Sequence, residues 1–176
     1  AVLVAPSAIA KERLPGAVTG SLSGADPYLA PQGNGGYDVS DYSVTLAYDK
    51  KTHGIQSATA VITATSVHLL RQFSLDARAG LRIAEVRVGD KRATFAHRRD
   101  KLVVTDFGSI PAGKRFQVHV RYSGTPIPVR DRSGRGKFGW LRTRGGSVTY
   151  TEPTGTSTWI PSNDVFYDKA TWHVTL

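Results

Sequence analysis

Residues 115–124 read Arg115-Phe116-Gln117-Val118-His119-Val120-Arg121-Tyr122-Ser123-Gly124. Phe116, Val118, Val120 and Tyr122 alternate with Gln117, His119 and Arg121, the period of a strand buried on one face. Upstream, Tyr42, Val44, Leu46 and Tyr48 repeat the pattern against Ser43, Thr45 and Ala47. Shorter runs follow at 58–67, 72–76, 83–88, 93–97, 102–105 and 148–151. Asp49-Lys50-Lys51, Gly89-Asp90, Arg99-Asp100 and Pro111-Ala112-Gly113 punctuate them as turns. No stretch sustains helical periodicity. Short strands at this spacing predict an all-β domain, an antiparallel β-sandwich of two sheets.

The 176 residues suit one domain, and 40% hydrophobic content with 3 Trp, 7 Tyr and 6 Phe suffices for a core. The absence of Cys excludes disulfides, Cys-ligated zinc, iron–sulfur clusters and a thiol nucleophile. The net charge is +9, unevenly spread. Residues 71–144 hold 18 Lys+Arg against 6 Asp+Glu, and the rest of the chain holds 5 against 8. The densest part, Arg130–Arg144, reads as a Gly-rich basic hairpin loop.

The chain holds no Met and begins at Ala1, so residue 1 is not expected to be the encoded start. Residues 1–10 end in Ala8-Ile9-Ala10, a small-x-small pattern expected before a signal-peptidase cut. Secretion is therefore expected. Residues 11–36 read as an extended, Gly- and Pro-rich lead-in, and residues 37–176 as the β-domain. At the far end Trp172, Val174 and Leu176 alternate in a run that stops without a closing turn, so a longer polypeptide is expected. No apolar run approaches the ~20 residues that span a bilayer.

Among motifs with chemistry, the five histidines (His53, His68, His97, His119 and His173) include no pair at metal-ligand spacing. No metal ligand and no catalytic residue is assigned in this chain. There is no Gly-x-Ser-x-Gly elbow. Gly134–Gly139 matches G-x-G-x-x-G but lacks the strand before and the helix after that a phosphate cradle requires. Phe138 and Trp140, interleaved with the basic residues, could stack on bases, although expected secretion argues against a nucleic-acid partner. Glu152 is more specific. It precedes Pro153 at a predicted strand end, where a lone carboxylate can bind an ammonium or guanidinium group.

Thr149-Tyr150-Thr151-Glu152-Pro153, then Ile160-Pro161-Ser162-Asn163-Asp164, then Asp168-Lys169-Ala170-Thr171-Trp172 follow one another in an order seen elsewhere. Together with Gly24-Ala25-Asp26-Pro27-Tyr28, the stretch 33–39 and Arg121–Pro126, they resemble the N-terminal domain of aminopeptidase N-type (gluzincin) zinc metallopeptidases, in their bacterial secreted branch. The resemblance covers about residues 24–176. Tyr150 stands for the family's usual Gln, Ser162 for its Cys, and Val165-Phe166 for an acidic-then-Pro pair.

The resemblance implies a saddle-like β-domain resting on a thermolysin-like catalytic domain downstream. It also implies that Glu152 supplies a carboxylate to the α-amino group of a peptide substrate. The family's zinc is held by H-E-x-x-H and a later Glu. This chain has neither H-E-x-x-H nor any Met for the family's G-x-M-E-N motif. No cofactor is expected in this chain, zinc is expected in the catalytic domain, and the chain alone is expected to be inactive. The alternative is a stand-alone β-sandwich interaction module that binds polyanions through Arg130, Arg132, Arg135 and Lys137 of the basic loop.

Overall fold

Strand β2 (Tyr37–Asp49) buries Tyr37, Val39, Tyr42, Val44 and Leu46 and exposes the small polar residues between them. It pairs antiparallel with β3 (Gly54–Ser66), placing Tyr42 opposite Ile62, Val44 opposite Ala60 and Leu46 opposite Ala58. A register shift between Val39 and Asp41 absorbs Ser40 and restores the buried phase. The computed structural model describes residues 18–29, 32–105, 107–130, 134 and 136–176. The signal-peptide reading of residues 1–10 lies outside the described residues.

The remaining strands are β1 (Val18–Thr19), β4 (Leu70–Asp76), β5 (Leu81–Val88), β6 (Lys91–Arg92), β7 (Thr94–Arg98), β8 (Lys101–Thr105), β9 (Arg115–Gly124), β10 (Val129–Arg130), β11 (Lys137–Arg142), β12 (Ser147–Tyr150) and β13 (Thr171–Thr175). A six-stranded sheet runs β13-β2-β3-β9-β5-β6 and a four-stranded sheet runs β1-β4-β8-β7. A smaller sheet, β10-β11-β12, stands beside them. The domain is all-β, as the alternation predicts.

The core lies between the two larger sheets. Phe73 on β4 packs its ring at 5.8 Å from Tyr37 on β2 and at 5.8 Å from Phe116 on β9, so one side chain ties both sheets together. The facing positions of β3 are Ala58, Ala60, Ile62 and Ala64, three of them small, which leaves room for the aromatics opposite.

Two edge pairings are parallel, where the sequence reading expects antiparallel strands. β1 runs parallel to β4, and β13 runs parallel to β2 with Trp172 beside Tyr42 and Val174 beside Val44. Both edge strands come from segments that reach their partners by long excursions, so no hairpin dictates their direction. Within the lead-in, Gly20 N donates to Gln72 O at 2.9 Å and Asn34 is buried against the body.

The basic loop is corrected. Its described part contains β11, with Phe138 and Trp140 buried. Trp140 donates its indole N–H to His53 O at 2.9 Å and lies 5.8 Å from Trp159. These aromatics are core residues and are not available to stack on bases. Gly139 (φ +100°) has a structural use: a Cβ there would lie 2.5 Å from Thr158 Oγ1. This last glycine of the G-x-G-x-x-G match lets a neighbouring turn approach, whereas Gly134 has nothing within 4 Å.

Candidate functional site

The segment after β12 turns sharply and ends in a short 3-10 turn, Thr156–Thr158. Glu152 lies in the first part of it, exposed, with a cis peptide bond to Pro153. The turn below is fixed from several sides. Thr158 Oγ1–H donates to Gly155 O at 2.6 Å, and the same oxygen accepts Trp140 N–H at 3.1 Å. Arg78 N–H donates to Ser157 O at 2.9 Å, and Ser157 N–H donates to the Asp164 carboxylate at 2.9 Å.

Asp164 belongs to a buried polar network. Asp76 Oδ2 accepts the backbone N–H of Gly33 (3.0 Å) and Asp164 (3.0 Å) and the side-chain N–H of Asn34 (2.9 Å). Asp76 Oδ1 accepts Lys101 Nζ at 2.7 Å. Asn163 N–H donates to the Tyr42 hydroxyl at 2.9 Å, while its Oδ1 accepts Asn34 N–H at 2.7 Å. These bonds tie the loop to β4 and to the lead-in, while the Ser157 and Ser162 hydroxyls and Arg78 Nε are buried without a partner among the described residues. Glu152 is exposed beside this anchored turn and makes no hydrogen bond or ion pair among the described residues.

Sequence reasoning singles out Glu152 alone; Asn34 and Asp164 enter it only within the stretches that carry the resemblance, and Asp76 and Lys101 are missed. The available signal is polar: Ser74 and Asp76 interrupt the otherwise apolar inner half of β4.

Burial pushes the Asp164 carboxyl up to about 6, against the lowering effect of its hydrogen bonds with Ser157. The folded form therefore binds this proton more tightly than the unfolded chain does. The resulting stability is complete below about pH 4 and is lost as pH rises through 6. Between pH 4 and 7 the loss attributable to Asp164 approaches about 3 kcal/mol. Asp164→Asn is expected to flatten that part of the stability–pH curve, read by urea midpoints across the range. Parallel curves for the two proteins would refute this origin.

Two adjoining hollows open beside the Glu152 turn. One, about 330 Å³, is lined by Thr151, Thr156, Trp159, Ile160, Trp172 and Val174. The other, about 470 Å³, shares Trp159 and Val174 and adds Tyr48, Trp140 and Leu176. Trp172 stacks on Tyr42 at 3.9 Å, yet Trp172, Val174 and Leu176 remain 43%, 45% and 85% exposed. The Trp159 indole N–H is buried and has no partner among the described residues.

As for metal, no group of three or more His, Cys, Asp or Glu among the described residues could hold an ion. His53 is hydrogen-bonded with Tyr48 at 2.7 Å and His97 with Ala77 O at 2.8 Å, while His173 faces Asp41 at 3.4 Å. This donor set does not fit a zinc site, and no step through zinc is assigned to these residues.

Compared with solved structures, the chain matches a variant of an M1 zinc metallopeptidase from Deinococcus radiodurans bound to Tyr-Ser-Ala, with TM-score 0.74 and 26% identity over 83% of this chain. Its β-fold is one that it shares with these M1 zinc metallopeptidases. A further structure of the Deinococcus enzyme matches at TM-score 0.73 and 26% identity over 81% of this chain. Legionella pneumophila aminopeptidase A in complex with aspartic acid shares the fold at TM-score 0.61 and 17% identity, over 79% of this chain and 16% of its own. The chain spans only a third of the Deinococcus chain's length. No family model and no curated protein matches.

Proposed function

We propose that this chain is the non-catalytic N-terminal domain of a secreted zinc aminopeptidase, and that Glu152 binds the α-amino group of the peptide substrate. One observation carries the reading: Glu152 stands exposed on a turn held by buried hydrogen bonds, one residue from the rim of an apolar hollow. An exopeptidase must recognise a positive chain end. A carboxylate on a rigid base fixes the distance from that ammonium to the scissile bond.

The catalytic domain covers the hollow. Trp172, Val174 and Leu176 supply the apolar contact. Zinc and the general base belong to that domain. The Deinococcus relative, bound to Tyr-Ser-Ala, is consistent with a peptide substrate.

In the enzyme containing both domains, Glu152→Ala is expected to cost about 2–3 kcal/mol in kcat/KM for peptides with a free N-terminus. Glu152→Gln should recover part of the loss. Unchanged kcat/KM in Glu152→Ala would overturn the assignment. Secretion rests on Ala8-Ile9-Ala10, and N-terminal sequencing of protein recovered from the medium tests it.

A further inference from the structure

The outer face of the six-stranded sheet is divided. Along β9 the inward residues Val118, Val120 and Tyr122 are buried, so Arg115, Gln117, His119, Arg121 and Ser123 point outward. Register carries this across to the next strands. Ser123 faces Arg82, Arg121 faces Glu85, and Arg87 lies between His119 and Arg92. Five arginines and a histidine thus share one half of the face with a single carboxylate, Glu85. That carboxylate is already engaged by Arg121 at 3.0 Å and Arg87 at 3.9 Å. Among the described residues Arg82, Arg92 and Arg115 make no ion pair.

The other half of the face carries hydroxyls. Thr45, Ser57, Thr59 and Ser123 line a groove of about 530 Å³ with Arg121 at its side. From Arg115 to Arg121 the arginine bank runs about 20 Å along the strand. Among the described residues no Phe, Tyr or Trp points out of this face, which removes both base stacking and insertion into a bilayer as sources of affinity. What remains is guanidinium groups beside a hydroxyl-lined trough, a surface suited to tetrahedral oxyanions repeated along a chain.

We propose that this face binds a linear polyanion bearing phosphate or sulfate groups, through Arg82, Arg87, Arg92, Arg115 and Arg121. The surface is separate from the Glu152 turn and from the apolar hollows, so the proposal stands independently of the peptidase reading.

The 176-residue chain is titrated with inorganic polyphosphate and with heparin, which distinguish phosphate from sulfate, over a range of salt. With the five arginines engaged, affinity should fall about 100-fold between 50 and 200 mM salt. R82Q/R92Q/R115Q/R121Q should lose more than about tenfold in affinity and most of that salt slope. R82Q/R92Q/R115Q, which leaves the Arg121–Glu85 pair intact, should lose a large share of both if the fourfold variant unfolds. K137Q/R142Q/R144Q should bind as the parent does. No binding of either polymer, or a loss confined to K137Q/R142Q/R144Q, would overturn the proposal. So would tighter binding to single-stranded DNA of equal charge, or binding to phosphatidylserine vesicles alone.

Discussion

Asp76→Ala is expected to remove about 3–5 kcal/mol of folding stability, the cost of breaking a buried ion pair by deleting one partner. Asp76 is 1% exposed. Burial holds its carboxyl above the ordinary value even though Lys101 and the backbone N–H groups of Asp164 and Gly33 pull it down, so desolvation outweighs these partners. The intact pair therefore adds little net stability, yet its loss is costly. Alanine would leave the Lys101 ammonium, the N–H groups of Gly33 and Asp164 and the Asn34 amide without this acceptor. Urea denaturation reads the effect. Asp76→Ala combined with Lys101→Met should recover part of it, because the stranded charge is gone. A loss below about 1 kcal/mol would mean that water replaces the carboxylate without penalty.

The second large effect is expected at Gly124, where the end of β9 meets the starts of β3 and β5. Its φ is +141°, and a Cβ there would lie 2.2 Å from Gly80 O, a backbone atom that cannot rotate away. Gly54 and Gly80 are crowded in the same way, at 2.8 Å from Gly124 O and 2.5 Å from Thr125 O. Gly124→Ala combines backbone strain with overpacking, each about 1–3 kcal/mol, for about 4 kcal/mol together. Gly89→Ala is the comparison. It also has positive φ (+57°) but nothing within 4 Å, so it should cost only about 1 kcal/mol. Equal midpoints for the two variants would show that the contact with Gly80 is relieved.

Most strands were legible from alternation, because the residues that decide them are neighbours in the chain. Phe116, Val118, Val120 and Tyr122 predict β9, which the structure places at Arg115–Gly124. Lys137–Arg142 was not legible as a strand. Its buried residues are the consecutive Phe138, Gly139 and Trp140, which break period two, and flanking charge and glycine mimic a loop. The Glu152 cluster could be found through its resemblance to a family. The apolar hollow beside it could not, since Tyr48, Trp140, Trp159 and Val174 come from four separate parts of the chain.

By itself the sequence determined an all-β domain, the resemblance of residues 149–172 to aminopeptidase N-type enzymes, and the absence of cysteine chemistry. Tertiary structure alone decided that β1 and β13 pair in parallel, that the aromatics of the basic stretch face inward, and that Asp76 anchors the turn carrying Glu152. The physical reason is range. Side-chain alternation is fixed by the backbone between adjacent residues, whereas the bond from Asp164 N–H to Asp76 joins positions 88 residues apart. A carboxylate becomes an anchor only when folding removes water and brings distant donors to it.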